Sequence, residues 1–191
     1  MPQSRNRIDG YRARLIHDCL TRGSTGTAFG RPVTRNIRRL EGNRMTALNL
    51  AQATRIVDAA LAEARKKGLA PLAVALLDAG GHLITFKRED GASFLRFDIA
   101  YGKAWGALGM GFGTRELAER AAKFPTFVTA LTAASQGRII PSPGGVLILG
   151  ADGEFTGAVG ISGDSGDNDE VCAIAGIEAV GLSARPGSAT A

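Results

Sequence analysis

From residue 49 onward the chain alternates between two hydrophobic rhythms, and each predicts a kind of element. In "NLAQATRIVDAALAEARKKG" the apolar residues Leu50, Ala53, Val57, Leu61 and Ala64 recur every three or four positions, the spacing of one helical face. Asn49 and Gln52 stand where a capping box would open that helix, Lys66 and Lys67 fall in its last turn, and Gly68 supplies the stop. The rhythm then shortens. "LAVALLDAGGHLITFKREDGA" holds two apolar stretches, 72–78 and 82–88, joined by Asp78-Ala79-Gly80-Gly81, and predicts a β-hairpin. A helix over about 95–108 follows, then "GMGFG" as a joint and a short helix after Thr114. Pro125 interrupts, and "TFVTALTAASQG" carries no period that assigns it. "GGVLILGADGEFTGAVGIS" predicts a second hairpin with Asp152-Gly153 at its turn, and a last helix is expected over about 169–182 before the tail "SARPGSATA". Hairpins flanked by helices predict an α+β domain with a mainly antiparallel sheet covered by helices.

Charge divides the chain. The formal net charge is +5, yet residues 1–44 hold ten Arg against Asp9, Asp18 and Glu41, which leaves residues 45–191 slightly acidic. The reading is a basic, disordered N-terminal arm over 1–44, a folded domain over 45–183 and a flexible tail over 184–191. Nucleic acid enters only as a partner of the arm, and Met45 is a candidate functional start. Two cysteines, Cys19 and Cys172, give no disulfide framework and suit a reducing cytoplasm. No apolar run reaches the length of a membrane span, so no membrane partner is expected.

The stretch "GISGDSGDNDE", residues 160–170, invites several chemistries that its spacing refuses. Counted from Asp164, an EF-hand would need an oxygen ligand where Gly166 stands and a Glu where Ala175 stands. A nucleophile elbow would need a second glycine where Asp164 stands. Zinc spacing and a dinucleotide fingerprint are also missing. What is left is a glycine-rich entry to a helix whose free N–H groups favour negative charge. Asp167 and Asp169 are expected to cap that end, with Asp169 also within reach of a ligand, and Glu170 to face a pocket.

Three ordered blocks, "LLDAGGHLITFKREDGA", "DIAYGKAWGA" and "PGGVLILGADGEFTGAVGISGDSGDNDEVCAIAG", resemble the GlcG/HbpS family, which includes the C-terminal domain of PduO-type proteins. The resemblance runs from about Leu48 to Leu182 and departs from the family pattern at Glu89, Gly106 and Asn168. It implies a three-layer α/β/α domain with an antiparallel sheet, profilin-like in layout, that assembles into homo-oligomers. It also implies a small-molecule ligand, haem or a related tetrapyrrole among them. For haem, the residues that could ligate iron are His82, Met110, Tyr101 and Cys172, with no advantage to any, and Lys103 and Arg88 are candidates for the propionates.

Lys103 stands alone among the apolar and small residues of "IAYGKAWGAL". It either snorkels to water or is buried enough to lower its pKa and meet a carboxylate. Paired with Glu170 it could serve as acid and base, so a cofactor-independent catabolic enzyme, an isomerase or hydrolase of a small oxo-acid or enolisable metabolite, is the alternative function. An oligomeric accessory protein is the residual one. The candidate ligand-binding set is completed by Asp78, Gly80, Gly81, Arg88, Pro143, Gly144, Gly145 and Asp169. A metal site is not assigned.

Overall fold

The computed structural model describes residues 47–187. The basic arm 1–44, the candidate start Met45, and with them His17 and Cys19, lie outside these residues. The first described element is α1 (Leu50–Lys67), and its start is built as the sequence predicts. The Asn49 side chain accepts from Gln52 N–H at 2.8 Å while the Gln52 side chain accepts from Asn49 N–H at 3.3 Å. Gly68 closes the helix in the left-handed conformation at φ 66°. The buried stripe is Ala53, Ile56, Val57, Ala60 and Ala64; Leu50, expected on it, is 62% exposed.

Two strands follow, β1 (Ala73–Asp78) and β2 (Leu83–Arg88), then α2 (Arg96–Met110), α3 (Thr114–Lys123) and α4 (Pro125–Ala134). The chain continues through β3 (Gly145–Leu149), β4 (Phe155–Ser162), α5 (Gly166–Glu178) and β5 (Ser183–Arg185). The five strands form one antiparallel sheet in the order β2-β1-β4-β3-β5. β1 and β4 are central and carry side chains buried on both faces. Val74 and Leu76 of β1 turn to one side with Val159 and Ile161 of β4, against α1 and α5. Leu77 and Ala158 turn to the other, against Ala104 and Ala107 of α2. Helices thus cover both faces, and the three-layer α/β/α reading of this α+β domain holds.

Two expectations are corrected. Residues 183–185 of the supposed domain end and tail pair with β3 as an edge strand, Leu147 opposite Arg185 and Leu149 opposite Ser183. The last helix begins at Gly166 and ends at Glu178, three residues earlier at its start than the pattern suggested. The unassigned segment after Pro125 is helical through Ala134, with Pro125 in its first turn, where a missing N–H costs no bond.

The packing of α2 on the sheet fixes where the site lies. Gly160 of β4 meets the α2 backbone directly: a Cβ placed there would stand 1.9 Å from the Ala100 carbonyl oxygen. That approach sets Lys103, one turn past Ala100, over the end of the sheet where β3 begins and β4 ends.

Candidate functional site

Register separates the candidate residues into two groups. Ala73 lies opposite both Arg88 and Ser162, and Gly145 opposite Gly160, so Arg88, Lys103, Pro143-Gly144-Gly145 and the start of α5 share one end of the sheet. Asp78, Gly80 and Gly81 occupy the other end, about 17 Å away along β1 at the usual rise per residue.

At the first end Lys103 Nζ donates to Asp169 Oδ2 at 2.8 Å, with side-chain exposures of 3% and 1%. The sequence pointed to Glu170 as the partner of this lysine; the partner is Asp169. Burial pushes Lys103 below the ordinary lysine value, and the neighbouring Asp169 charge restores it only in part. Burial also raises Asp169, against the pull of Lys103. The other Asp169 oxygen accepts from Asp164 N–H at 3.2 Å. Gly144 closes over the pair: it sits at φ +114°, and a Cβ there would come within 3.0 Å of Lys103 Nζ and 2.8 Å of Asp169 Cβ. Gly145 lies as tightly on the Lys103 carbonyl, and Pro143 packs on Gly166. The turn Pro143-Gly144-Gly145 therefore meets Lys103 as expected, but as a cover over an enclosed ion pair.

Asp169 is not the helix cap. Ser165 holds that position and accepts from Asn168 N–H at 3.2 Å. Asp167 is exposed and pairs with Arg115 Nη2 at 2.6 Å, while Arg115 Nε donates to Glu170 Oε1 at 2.8 Å. Glu170 points inward, as expected, with Oε2 buried and without a partner among the described residues. Burial raises its pKa, and Arg115 opposes the rise. Arg115 was not singled out from the sequence. Its signal was a cation in the first turn of α3, where the helix dipole disfavours one and an outside carboxylate has to compensate.

The other end is built around a histidine. Asp78 Oδ1 accepts from the backbone N–H groups of Gly80 and His82, both at 2.9 Å, which fixes the turn. The His82 ring brings Nδ1 to 3.2 and 3.3 Å from the two Asp78 oxygens. Partial burial works against ionising Asp78, but the bonds from His82 and Gly80 win and hold its pKa below the ordinary 3.8. An ionised carboxylate only accepts, so Nδ1 is the nitrogen that donates to Asp78, and Nε2 has no hydrogen-bond partner among the described residues on a ring that is 81% exposed. A Cβ at Gly80 would strike that ring at 2.9 Å, and one at Gly81 would press on Trp105 at 3.3 Å. Tyr101 Oη donates to the Gly81 carbonyl at 3.2 Å, and the Arg138 guanidinium lies 4.4 Å above the Trp105 ring. The turn thus presents a carboxylate-oriented imidazole beside an indole and a cation.

The iron-ligand candidates are now unequal. The Cys172 thiol is buried and pushed up to about 11 by burial and by neighbouring Asp169, Glu63 and Asp164. The Tyr101 hydroxyl is engaged, and Met110 ends α2. His82, read from sequence as no better than these, alone offers an exposed nitrogen with a carboxylate behind it. Lys103, proposed for a propionate, is enclosed with Asp169.

The family model described as "Haem degrading protein HbpS-like" matches residues 48–178. A Citrobacter freundii protein, an uncharacterized 15.0 kDa protein of the dhaT-dhaS intergenic region, is 28% identical over 133 residues, 70% of this chain and 92% of its own. The crystal structure of a PduOC:heme complex superposes with a TM-score of 0.65 at 28% identity, covering 72% of this chain and 97% of that one. A crystal structure of HbpS gives a TM-score of 0.60 at 32% identity over 70% of this chain and 90% of its own. Among the described residues, no helix is long and apolar enough to cross a membrane.

Proposed function

The chain belongs to the HbpS-like family, and on that footing we propose that it binds haem or a related tetrapyrrole at the Asp78–His82 turn. The observation that carries the proposal is the Asp78 carboxylate behind His82, which orients the ring and leaves Nε2 open. The resemblance to the PduOC:heme complex supports the ligand class. His82 would hold the iron, Trp105 and the partly exposed Leu83 would meet the apolar macrocycle, and Arg138 is the nearby cation for a carboxylate. Bound haem would supply a redox-active iron and a visible chromophore.

The Lys103–Glu170 enzyme has less support. Its ammonium is enclosed against Asp169, and its carboxylate is engaged by Arg115. Homo-oligomerisation belongs to the same proposal, since Phe94, Phe124 and Phe127 are exposed apolar surface that copies of the chain could cover. Light scattering of the intact chain should report more than one copy.

Hemin titration followed in the Soret region tests the ligand. Saturable binding at one haem per chain, with a histidine-ligated spectrum lost in His82→Ala, is expected. An unchanged spectrum and affinity in that variant would reject His82 as the ligand, and an absence of saturable binding would reject the function.

A further inference from the structure

Arg88 is left over by this function. It lies about 20 Å along β2 from His82, at the opposite end of the strand. There Arg65, Pro71, Arg88, Glu89 and Asp90 line a cleft of about 490 Å³, within the range of small-molecule sites.

Four of these residues are charged, but only two are committed. Arg65 Nε meets Glu89 Oε1 at 2.8 Å, and Arg65 Nη2 donates to the Ala70 carbonyl at 2.9 Å. Glu89 Oε2 accepts from Leu72 N–H at 2.7 Å. Both Glu89 oxygens are therefore occupied, and the pair forms a fixed wall. Arg88 and Asp90 make no ion pair among the described residues, with each other or with a third group. The backbone between them is pinned. Glu89 N–H donates to the Leu72 carbonyl at 2.9 Å, and Ala92 N–H to the Glu89 carbonyl at 3.1 Å across Gly91 at φ +86°. Among the described residues, the cleft thus holds one cation and one anion that are unpaired.

We propose that this cleft binds a small zwitterion, an amino acid in the broad sense, with its carboxylate on Arg88 and its ammonium on Asp90. The guanidinium fork takes a carboxylate through two parallel bonds, and the Asp90 carboxylate accepts from an ammonium. A simple anion would satisfy Arg88 but meet the negative charge of Asp90. A simple cation would meet the reverse. Only a ligand carrying both signs completes the cleft. Arg88 and Asp90 are exposed, so water and salt weaken each contact and the affinity belongs in the micromolar to millimolar range.

The test is calorimetric titration of the intact chain with glycine, β-alanine, 4-aminobutyrate and 6-aminohexanoate, using butyrate and butylamine as singly charged controls. At least one of the four should bind saturably and at least tenfold more tightly than either control. Arg88→Gln and Asp90→Asn should each weaken that binding tenfold or more without shifting the Tm of the free protein. Butyrate binding as tightly as 4-aminobutyrate would overturn the proposal in favour of a plain anion site. So would the absence of saturable binding across the series, or binding that neither substitution alters. The ligand comparison needs no variant, so a substitution that disturbs folding does not shelter the proposal.

Discussion

Lys103 Nζ and Asp169 Oδ2 stand 2.8 Å apart, joining α2 to α5, and almost none of either side chain reaches water. Desolvating both charges costs several kcal/mol, which their attraction and the Asp164 N–H bond to Asp169 must offset. The pair fixes how the first turn of α5 sits on α2 and beneath Gly144.

The sign of its contribution depends on how it is broken. Asp169→Ala leaves a buried lysine without its carboxylate and should cost about 3–5 kcal/mol in urea unfolding, as expected when one partner of a buried ion pair is removed. The double substitution Lys103→Met with Asp169→Leu removes both charges and should recover most of that loss. A double variant no more stable than Asp169→Ala would show that the volume of these side chains, and not their charge, sets the cost.

What was legible in the sequence was what local chemistry determines. The Asn49/Gln52 box, the Gly68 stop and both hairpins depend on residues within a few positions of one another, and all are present. The pairing of β5 with β3 depends on distant residues, and three residues carry no period to announce it. α4 lacks charged residues and buries only Val128, so no amphipathic stripe marked it. The site was half legible. Lys103, the Pro143-Gly144-Gly145 turn and the carboxylates of α5 do come together. Placing the helix start three residues late, however, turned the wrong carboxylate toward the lysine, because neighbouring residues on a helix point about 100° apart. The Arg115–Glu170 pair joins positions 55 residues apart, and nothing local links them.

Gly160 should tolerate no side chain. In Gly160→Ala the new methyl would press on the Ala100 carbonyl oxygen at 1.9 Å and on the Ala104 nitrogen at 2.7 Å. Both are backbone of α2, which can yield only by lifting from the sheet. The loss should reach or exceed about 1–3 kcal/mol, the usual cost of overpacking. A Tm equal to that of the parent would mean that α2 sits farther from β4 than this contact implies.

Two carboxyls should give stability opposite slopes with pH. Asp164 is lowered from 3.8 to about 2 by bonds from Asn168, Ala70 and Ser165, so its contribution is complete above 3.8 and is lost as pH falls through about 2. Glu170 is raised by burial, so the folded state binds its proton more tightly than the unfolded chain does. Its share of stability therefore grows as pH falls from its raised folded value toward the ordinary 4.5. Glu170→Gln should reduce the slope in that upper window, leaving the share of the similarly raised Asp169, while Asp164→Ala should reduce it between 3.8 and about 2, leaving the share of the similarly lowered Asp78. Thermal melts at closely spaced pH values check both. An unaltered upper slope in Glu170→Gln would mean that Arg115 holds the carboxylate ionised throughout.

Asp78 should govern haem affinity without touching the haem. Asp78→Asn keeps an oxygen for the N–H groups of Gly80 and His82, so the turn should survive and the Tm should move little. What it removes is the negative charge behind Nδ1, which fixes the tautomer and strengthens Nε2 as a donor. Affinity for hemin should fall about 10–100-fold, the usual effect of losing such a partner. The Soret maximum should still report histidine ligation at saturating hemin, because the ligand itself is present. Loss of the histidine-ligated spectrum at saturation would assign Asp78 to the fold of the turn, and an unchanged affinity would show that His82 needs no carboxylate behind it.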